Sequence, residues 1–295
     1  MKRVLVTGAG GFIGSAVVKK LELNNYIVEE WDRFEGPSLK GIDMNDSERI
    51  IEGLNAFRPD IVIHCAGCAD VGNSIKNPDA DFIGNVGITH NLLFAMHKAQ
   101  LDKTRFVFLS SAGVYGNPVS LPITEDMKLN PLSPYAVHKV MCEDLCCYFM
   151  NNYGMDVKIA RIFSAYGKGL RKQIFWDMYN KSVKTGKLEM FGTGNESRDY
   201  IHVNDVVQSI YLLAVSDTSD VIFNVANGEE ITIRKATEYF ADSMGIDDIQ
   251  FNGVVREGDP LNWRADISKM RSIGYEKTVE MGQGISDYVD WVESL

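Results

Sequence analysis

The chain has 295 residues, of which 45% are hydrophobic, and it carries a formal net charge of −10. This length suits one large domain or two modest ones with a substantial core. The acidic balance, without a basic stripe, argues against nucleic acid or an anionic membrane as a partner. No apolar run approaches the roughly 18 residues of a membrane helix, and the first residues leave no room for a signal peptide. We therefore expect a cytoplasmic protein.

The cysteines are a possible metal or redox feature. They are Cys65, Cys68, Cys142, Cys146 and Cys147. Cys65 and Cys68 have a Cys-x-x-Cys spacing, but Cys65 closes an apolar segment and no histidine lies beside it at finger-like spacing. We expect buried, reduced thiols and no metal site. His64, inside the same apolar segment, is predicted to be a hydrogen-bonded core histidine.

The N-terminus contains a glycine loop between a predicted strand and a predicted helix. Val4 to Val6 are apolar and partly β-branched, and the helical spacing of apolar residues begins after Gly14. Gly8, Gly11 and Gly14 are spaced to allow a tight turn and the close approach of a pyrophosphate. The backbone at the helix start, which includes Phe12 and Ile13, would face that anion. A glycine-rich turn without a ligand is the plainer alternative.

A second strand is predicted from Tyr26 to Trp31, and Asp32 follows it, 18 residues beyond Gly14. An acidic residue at this distance can accept hydrogen bonds from an adenosine ribose, and it would repel a 2′-phosphate. Asp32 therefore favours NAD as the cofactor. Arg33 comes next and could accommodate a 2′-phosphate, which keeps NADP possible.

Predicted strands and helices alternate along the first part of the chain and are joined by short loops. This alternation predicts an α/β fold with a doubly wound parallel sheet of the Rossmann type. Ligands bind at the carboxyl ends of the strands in such sheets. Asp43-Met44, Ala66-Gly67 and Ser110-Ser111 all follow predicted strands and should meet the glycine loop there.

The alternation loosens after Phe163, and we expect two units. Residues 1–163 and 201–226 would form the cofactor-binding domain. Residues 164–200 and 227–295 would form a smaller mixed α/β unit over the strand ends, and this second unit is called the lid below.

Tyr135 and Lys139 are four residues apart at the start of a predicted helix, so their side chains lie on one face. A nearby ammonium and an oxidised nicotinamide favour the phenolate form of a tyrosine, which can then act as a base. Ser111 can donate a hydrogen bond to the same substrate oxygen. Together these residues predict proton removal from a secondary alcohol while a hydride leaves its carbon.

With these motifs, the chain resembles the extended short-chain dehydrogenases/reductases of the NAD-dependent epimerase/dehydratase family, which act on nucleotide-diphosphate sugars. The resemblance implies that Ser111, Tyr135 and Lys139 are the catalytic residues. It places these residues at the cofactor: Gly8, Gly11, Phe12, Ile13, Gly14, Asp32, Arg33, Asp43, Met44, Ala66, Gly67, Asn85, Ser110, Tyr135, Lys139 and Phe163. It places Ser111, Ser164, Arg198 and Arg256 at the substrate, where arginines can bind the diphosphate bidentately.

Departures from the family pattern narrow the range of reactions that we expect the chain to catalyse. Family dehydratases carry an Asp-Glu pair after the serine or threonine, whereas Ala112 and Gly113 stand here and cannot move protons. Dehydration at C4 and C6 is therefore not expected. Ser164 replaces a common asparagine and Lys168 a common proline, so the sugar contacts differ.

The resemblance implies an NAD-dependent epimerase that acts at C4. Tyr135 removes the hydroxyl proton, hydride passes to NAD, and the 4-keto sugar turns over before hydride returns to its other face. The alternative with the same residues is an NAD(P)H-dependent reductase of a 4-keto-6-deoxy sugar nucleotide, and a more distant one is a non-catalytic cofactor sensor. Two long predicted helices, Asn85–Gln100 and Pro134–Asn152, would form the interface of a homodimer.

Overall fold

The computed structural model describes residues 1–254 and 260–295. The strands are β1 (Arg3–Thr7), β2 (Ile27–Asp32), β3 (Leu39–Gly41), β4 (Ile61–His64), β5 (Arg105–Ser111), β6 (Asp156–Ile162), β7 (Ser164–Tyr166), β8 (Leu188–Met190), β9 (Ser197–Arg198), β10 (Tyr200–His202), β11 (Ile222–Val225), β12 (Ile231–Thr232) and β13 (Ile249–Phe251).

The helices are α1 (Phe12–Leu23), α2 (Ser47–Phe57), α3 (Val71–Lys76), α4 (Pro78–Phe82), α5 (Ile88–Lys98), α6 (Pro134–Tyr153), α7 (Gln173–Thr185), α8 (Val203–Val215), α9 (Ile233–Met244), α10 (Ser268–Ser272) and α11 (Met281–Glu293). A π-helical turn covers Ile83–Gly87, and a 3₁₀ turn covers Ala112–Tyr115. Among the described helices, none is long and apolar enough to cross a membrane.

The main sheet has seven parallel strands in the order β11-β6-β5-β4-β1-β2-β3. The strand order reverses between β1 and β4, which is the switch point where such sheets bind ligands. Helices cover both faces, because parallel strands need crossovers and each face is apolar. One hydrophobic cluster includes Val17 of α1 and Val207 of α8, and the other includes Ile50 of α2 and Leu92 of α5. The predicted fold class is confirmed.

The lid has its own hydrophobic cluster, which includes Phe175 of α7, Phe240 of α9 and Tyr288 of α11. Its short strands pair as β7 with β10, β8 with β13, and β9 with β12. The segment around Trp263 and Ala265 packs with the main sheet's cluster instead. The lid is therefore joined to the sheet by hydrophobic packing.

Polar caps start the helices at the predicted places. The Asp46 side chain accepts from the Arg49 N–H at the start of α2, and Ser133 accepts from the Ala136 N–H at the start of α6. Asn and Asp commonly cap helices, so the sequence favours Asn204-Asp205 as the cap of α8, but this expectation is wrong. His202 caps this helix through its ring nitrogen, and Asp205 is buried, where it accepts hydrogen bonds from Thr278.

The predicted helix over Asn85–Gln100 is also different in detail. Asn85 lies in the π-helical turn, and the regular helix α5 begins at Ile88. The short helices α3 and α4 lack enough residues to show an apolar period, so the sequence did not reveal them. The strand expected from Ile249 to Val255 ends at Phe251, and Val255 lies outside the described residues.

Candidate active site

The glycine loop lies between β1 and α1 at the carboxyl edge of the sheet. Gly8 has a φ of +66°, and a Cβ there would lie 2.6 Å from the backbone nitrogen of Ala66. A Cβ at Gly14 would lie 2.1 Å from the carbonyl oxygen of Gly8. Both positions therefore need glycine for the turn and for close packing, whatever ligand binds.

Gly11 differs, because a Cβ there would meet only the Gly8 carbonyl oxygen, at 3.1 Å. Gly11 is the N-cap of α1, and no side chain caps this helix start. The first turn also lacks acidic residues. An uncapped helix start beside open space is suited to the pyrophosphate of a dinucleotide. The loop fits the group that the family implies.

Asp32 ends β2 beside the glycine loop. Its carboxylate accepts from the backbone N–H of Gly10 at 3.0 Å and from that of Arg33 at 2.8 Å. The Arg33 guanidinium lies 4.8 Å from the ring centroid of Phe34. Asp32 is thus held at the loop as an acceptor, while the Arg33 side chain stacks on its neighbour.

Asp43 and Met44 follow β3 at the same edge. Asp43 is exposed, and its side chain accepts from the backbone and side-chain N–H groups of Asn45. Met44 is buried, and the Asn91 side chain donates to its carbonyl oxygen. These two residues form a fixed turn beside the end of β2.

Ala66 and Gly67 follow β4. Gly67 has a φ of +155°, and a Cβ there would lie 2.8 Å from Asn85 Oδ1 and 3.6 Å from Lys139 Nζ. Asn85 is buried, and its Nδ2 donates to the carbonyl oxygen of Asp81. Within the described chain, no hydrogen bond reaches Asn85 Oδ1. A buried acceptor without a donor at this edge is a second feature that fits a polar ligand.

Ser111 and Tyr135 lie beside Gly113, and Lys139 lies beside Tyr135. A Cβ at Gly113 would lie 3.3 Å from Ser111 Oγ and 3.9 Å from Tyr135 Cε1. Lys139 Nζ lies 5.9 Å from the Tyr135 ring centroid and donates to the carbonyl oxygen of Leu109 at 2.9 Å. Ser111 Oγ accepts from the Gly113 N–H at 3.1 Å, so its own proton can be donated elsewhere. The structure brings the three predicted catalytic residues to one place.

Phe163, which was predicted at the cofactor, and Ser164 and Arg198, which were predicted at the substrate, lie at the junction between the sheet and the lid. Phe163 is buried and packs edge-to-face on Trp263, with ring centroids 5.7 Å apart. Ser164 begins β7, and its backbone N–H donates to the carbonyl oxygen of Asp199. Arg198 lies in β9, with its guanidinium 5.7 Å from the Trp263 ring centroid. Arg256 lies outside the described residues.

The model of the NAD dependent epimerase/dehydratase family matches residues 4–226. The chain belongs to this family. The "Putative UDP-glucose 4-epimerase" of Methanocaldococcus jannaschii is 32% identical to it over 99% of this chain and 98% of the relative.

Solved structures of family members have the same fold. The UDP-glucuronic acid 4-epimerase of Bacillus cereus, in complex with UDP-glucuronic acid and NAD, matches with a TM-score of 0.90 and 26% identity, covering 99% of both chains. DesIV, a dTDP-glucose 4,6-dehydratase of Streptomyces venezuelae with NAD bound, matches with a TM-score of 0.90 and 27% identity, covering 99% of this chain and 97% of DesIV. The predicted family membership is confirmed.

Ser110, a residue expected at the cofactor, is engaged elsewhere through its side chain. Its hydroxyl donates to Glu143, which forms a buried ion pair with Arg161 at 2.7 Å. Arg161 also donates to the Tyr115 hydroxyl. Successive strand residues point to opposite faces, so Ser111 faces the crevice when Ser110 faces this network. Only the backbone of Ser110 can then serve the site.

His64 is a core residue, as predicted. Its Nδ1 pairs with the Thr7 hydroxyl at 2.7 Å and its Nε2 with the Thr89 hydroxyl at 3.3 Å. Burial lowers the pKa of His64 to about 3, and the charge of Lys139 acts in the same direction. His64 therefore links β1, β4 and α5 as a neutral side chain, close enough to Lys139 to feel its charge.

The cysteines agree only in part with the expectation of buried thiols. All five are free, and Cys142 and Cys146 are buried. Cys65, Cys68 and Cys147 are partly exposed, which corrects the prediction for those three. Among the described residues, no group of three or more His, Cys, Asp or Glu side chains is arranged to hold a metal ion.

Asp199 is a site residue that sequence reasoning missed. Its carboxylate accepts from the backbone N–H groups of Asn227, Gly228 and Ala265 at 2.9 to 3.0 Å. Burial raises its pKa to about 7, although these hydrogen bonds oppose the shift. Asp199 therefore ties its own segment to two distant ones, at Asn227-Gly228 and at Ala265. Its position next to Arg198 was the one available signal.

Proposed function

We propose that this chain is an NAD-dependent epimerase of a nucleotide-diphosphate sugar, acting at C4 through a transient 4-keto sugar. The observation that carries the proposal is that Ser111 and Tyr135 lie beside Gly113, with Lys139 next to Tyr135, at the edge of the sheet that holds the glycine loop. The names of the relatives support C4 as the reacting carbon and UDP as the nucleotide.

The cofactor would lie along the carboxyl edge of the sheet. The backbone of Gly11, Phe12, Ile13 and Gly14 would hold its pyrophosphate. Asp32 would bind the adenosine ribose, and Asp43 and Met44 would contact the adenine. Ala66, Gly67, Asn85 and Phe163 would line the nicotinamide half, with Tyr135 and Lys139 beside it. When bound, the nicotinamide supplies reversible hydride transfer at the sugar carbon.

The chain's own residues move and hold the proton. Tyr135, as phenolate, takes the proton from the C4 hydroxyl, and it returns that proton after the keto sugar has turned over. The ammonium of Lys139 stabilises the negative charge that the Tyr135 oxygen carries between these events. Ser111 donates its hydroxyl proton to the C4 oxygen and so fixes the position of that oxygen.

The diphosphate would bind on the lid side. Arg198 would provide positive charge that an acidic protein needs locally for an anionic substrate, because guanidinium groups bind phosphate oxygens bidentately. The resemblance to the family adds Arg256, which lies outside the described residues. Ser164, at the start of β7, would contact the sugar.

Dehydration does not fit the residues beside Ser111. Ala112 is fully buried and has no ionisable group, and a side chain at Gly113 would crowd Ser111 Oγ. A dehydratase needs an acid and a base there. The reductase alternative is favoured by one observation, the presence of Arg33 next to Asp32, because an arginine can bind the 2′-phosphate of NADPH.

The test is a product analysis by NMR. Purified protein is incubated with UDP-glucose, with UDP-glucuronic acid and with a 4-keto-6-deoxy sugar nucleotide, without added cofactor and then with NADPH. The proposal expects a mixture of C4 epimers without net change in absorbance at 340 nm. Stoichiometric loss of NADPH with a 4-keto-6-deoxy sugar nucleotide, and no epimer formation, would identify a reductase instead.

We also propose that two copies of the chain associate through α5 and α6. Large apolar side chains are exposed on the segment from α4 to α6: Phe82, Ile83, Phe94, Met141, Tyr148 and Tyr153. Such a patch supports a protein interface. Cys146 and Phe149, which were also considered for the interface, are buried in the core. Light scattering should give twice the 33.0 kDa chain mass, and Phe94→Glu should lower it towards a single chain.

The division into units 1–163 with 201–226 and 164–200 with 227–295 remains our proposal. The separate hydrophobic cluster of the lid supports it. The packing of Trp263 and Ala265 with the main sheet means that the lid is not an independent body. The five free thiols support a location in the reducing cytoplasm.

A further inference from the structure

The loop between β7 and α7 runs from the lid to the carboxyl edge of the main sheet. This edge, which carries the glycine loop, is called the cofactor edge below. We name residues 167–172 the strap. Gly167 and Gly169 have φ values of +137° and +99°, and Gln173, directly after the strap, has +66°. Three left-handed residues among seven give this segment a sharply bent path that ordinary residues rarely adopt.

Two contacts fasten the strap to the C-terminal helix of the lid. The Tyr288 hydroxyl donates to the carbonyl oxygen of Leu170 at 2.9 Å in a buried hydrogen bond. The Arg171 guanidinium lies 5.8 Å from the ring centroid of Trp291. Leu170 itself is buried in the lid cluster. The strap therefore belongs mechanically to the lid.

Two other contacts place the strap against the cofactor edge. A Cβ at Gly169 would lie 3.5 Å from Cδ2 of Phe12, at the start of α1. Lys172 Nζ donates to the carbonyl oxygen of Ala69 at 3.1 Å, in the loop that follows β4. Phe12 and the Ala69 loop lie on the two sides of the switch point between β1 and β4. The strap thus spans the crevice that would hold the dinucleotide.

The charges near Cys68 agree with this placement. Burial raises the pKa of the Cys68 thiol, and the nearby charges of Lys139, Arg33 and Lys172 oppose the rise. Lys172 therefore lies in the same neighbourhood as the catalytic lysine and the end of β2.

We propose that the strap closes over the bound dinucleotide and that the hydrogen bond from Lys172 to Ala69 is its latch. This inference rests on the cofactor site of the proposed function and not on the reaction. A latch of this kind retains the cofactor between turnovers, which suits an enzyme that regenerates the cofactor in place. It also means that the dinucleotide enters and leaves only when the strap opens.

The experiment measures binding kinetics by the fluorescence of NADH with protein stripped of cofactor. Lys172→Met keeps the side-chain stem and removes the donor. Both the association and the dissociation rate constants should rise about fivefold, because losing an exposed charged hydrogen bond favours the open strap by that factor. The dissociation constant should stay within about twofold, since both rates change together. Hydrogen exchange over residues 167–172 should become faster.

Two variants serve as controls. Lys172→Arg retains a donor and should restore both rate constants. Lys184→Met removes an exposed lysine from α7 of the same lid and should leave both unchanged.

Three outcomes would overturn the latch. A rise in the dissociation rate alone would mean that Lys172 contacts the dinucleotide directly. Unchanged rates in Lys172→Met would mean that the strap does not control access. Failure of the wild-type chain to bind NADH or NADPH would overturn the proposed function together with the latch, and this result is distinguishable from the first two.

Discussion

The cofactor edge and the lid junction are built in different ways. At the cofactor edge, a Cβ at Gly8 would meet the backbone of Ala66, which follows the neighbouring strand β4, and a Cβ at Gly14 would meet the carbonyl oxygen of Gly8. At the lid junction, one buried carboxylate, Asp199, collects N–H groups from segments 28 to 66 residues away. The first arrangement follows from strand register, and the second depends on a single side chain. The cofactor edge is therefore preorganised by backbone contacts, whereas the lid junction is assembled from segments that are distant in the sequence.

Each of the two regions also buries an ionisable group, and the two groups should affect the pH dependence of stability in opposite directions. His64 lies under the cofactor edge and is held neutral, because burial disfavours its charged form. Asp199 lies at the lid junction, where burial disfavours its charged form and backbone hydrogen bonds favour it. Their contributions to stability should therefore depend on pH in opposite directions.

The largest expected effect is the loss of turnover in Tyr135→Phe. Removing the group that takes the proton should lower the turnover rate about a thousandfold. NADH binding, measured by fluorescence, should persist, because backbone groups at the cofactor edge hold the dinucleotide. Tyr148→Phe, on the exposed side of the same helix, is the matched control and should keep full activity. Full turnover in Tyr135→Phe would contradict the mechanism.

A pair of glycine substitutions isolates the close packing of the cofactor edge. Gly8 and Gly245 share a φ of +66°, but a Cβ at Gly245 meets nothing within 4 Å. Gly245→Ala should lower the free energy of unfolding by about 1 kcal/mol through backbone strain alone. Gly8→Ala should lower it by about 3 kcal/mol or more, because the Ala66 backbone must also move. Urea unfolding measures both, and equal losses would show that packing at Gly8 is dispensable.

The pH dependence of stability tests the neutral state of His64. Its pKa of about 3 lies below the value of about 6.5 in an unfolded chain. The contribution of neutral His64 to the free energy of unfolding is therefore full above about pH 6.5. It is lost as pH falls towards 3, with a limiting slope of about 1.4 kcal/mol per pH unit. His64→Gln should remove this slope from the unfolding free energy. An unchanged slope would place the titration elsewhere.

Asp199→Asn should change the pH dependence of the unfolding free energy in the direction opposite to that of His64→Gln. The change should extend over a narrower pH range. Because burial raises the pKa to about 7, the protonated carboxyl suits the fold better than the ionised one. Its contribution is full below about pH 3.9 and is lost as pH rises to about 7. The difference between the wild-type and Asp199→Asn unfolding free energies should therefore fall with rising pH. A difference that is flat across this range would contradict the raised pKa.

Much of the cofactor edge could be predicted because its signals are local. The strand-to-helix turn at Gly8–Gly14, the acidic residue after β2, and the four-residue spacing of Tyr135 and Lys139 can all be read within short windows. The structure departs from the predictions where a residue's hydrogen-bond partner is far away in the sequence. Asp205 was expected to cap α8, but it accepts hydrogen bonds from Thr278, 73 residues later.

By itself, the sequence determined the class of fold and the family, and it predicted Ser111, Tyr135 and Lys139 as the catalytic residues, because periodicity, turn chemistry and motif spacing are local properties. Only the tertiary structure decided which serine faces the crevice, how Asp199 joins three segments, and that the strap lies across the cofactor edge. Those features depend on which distant segments pack together. Ser110 and Ser111 are adjacent in the chain, and only the position of Glu143 beside β5 assigns them to different sides of it.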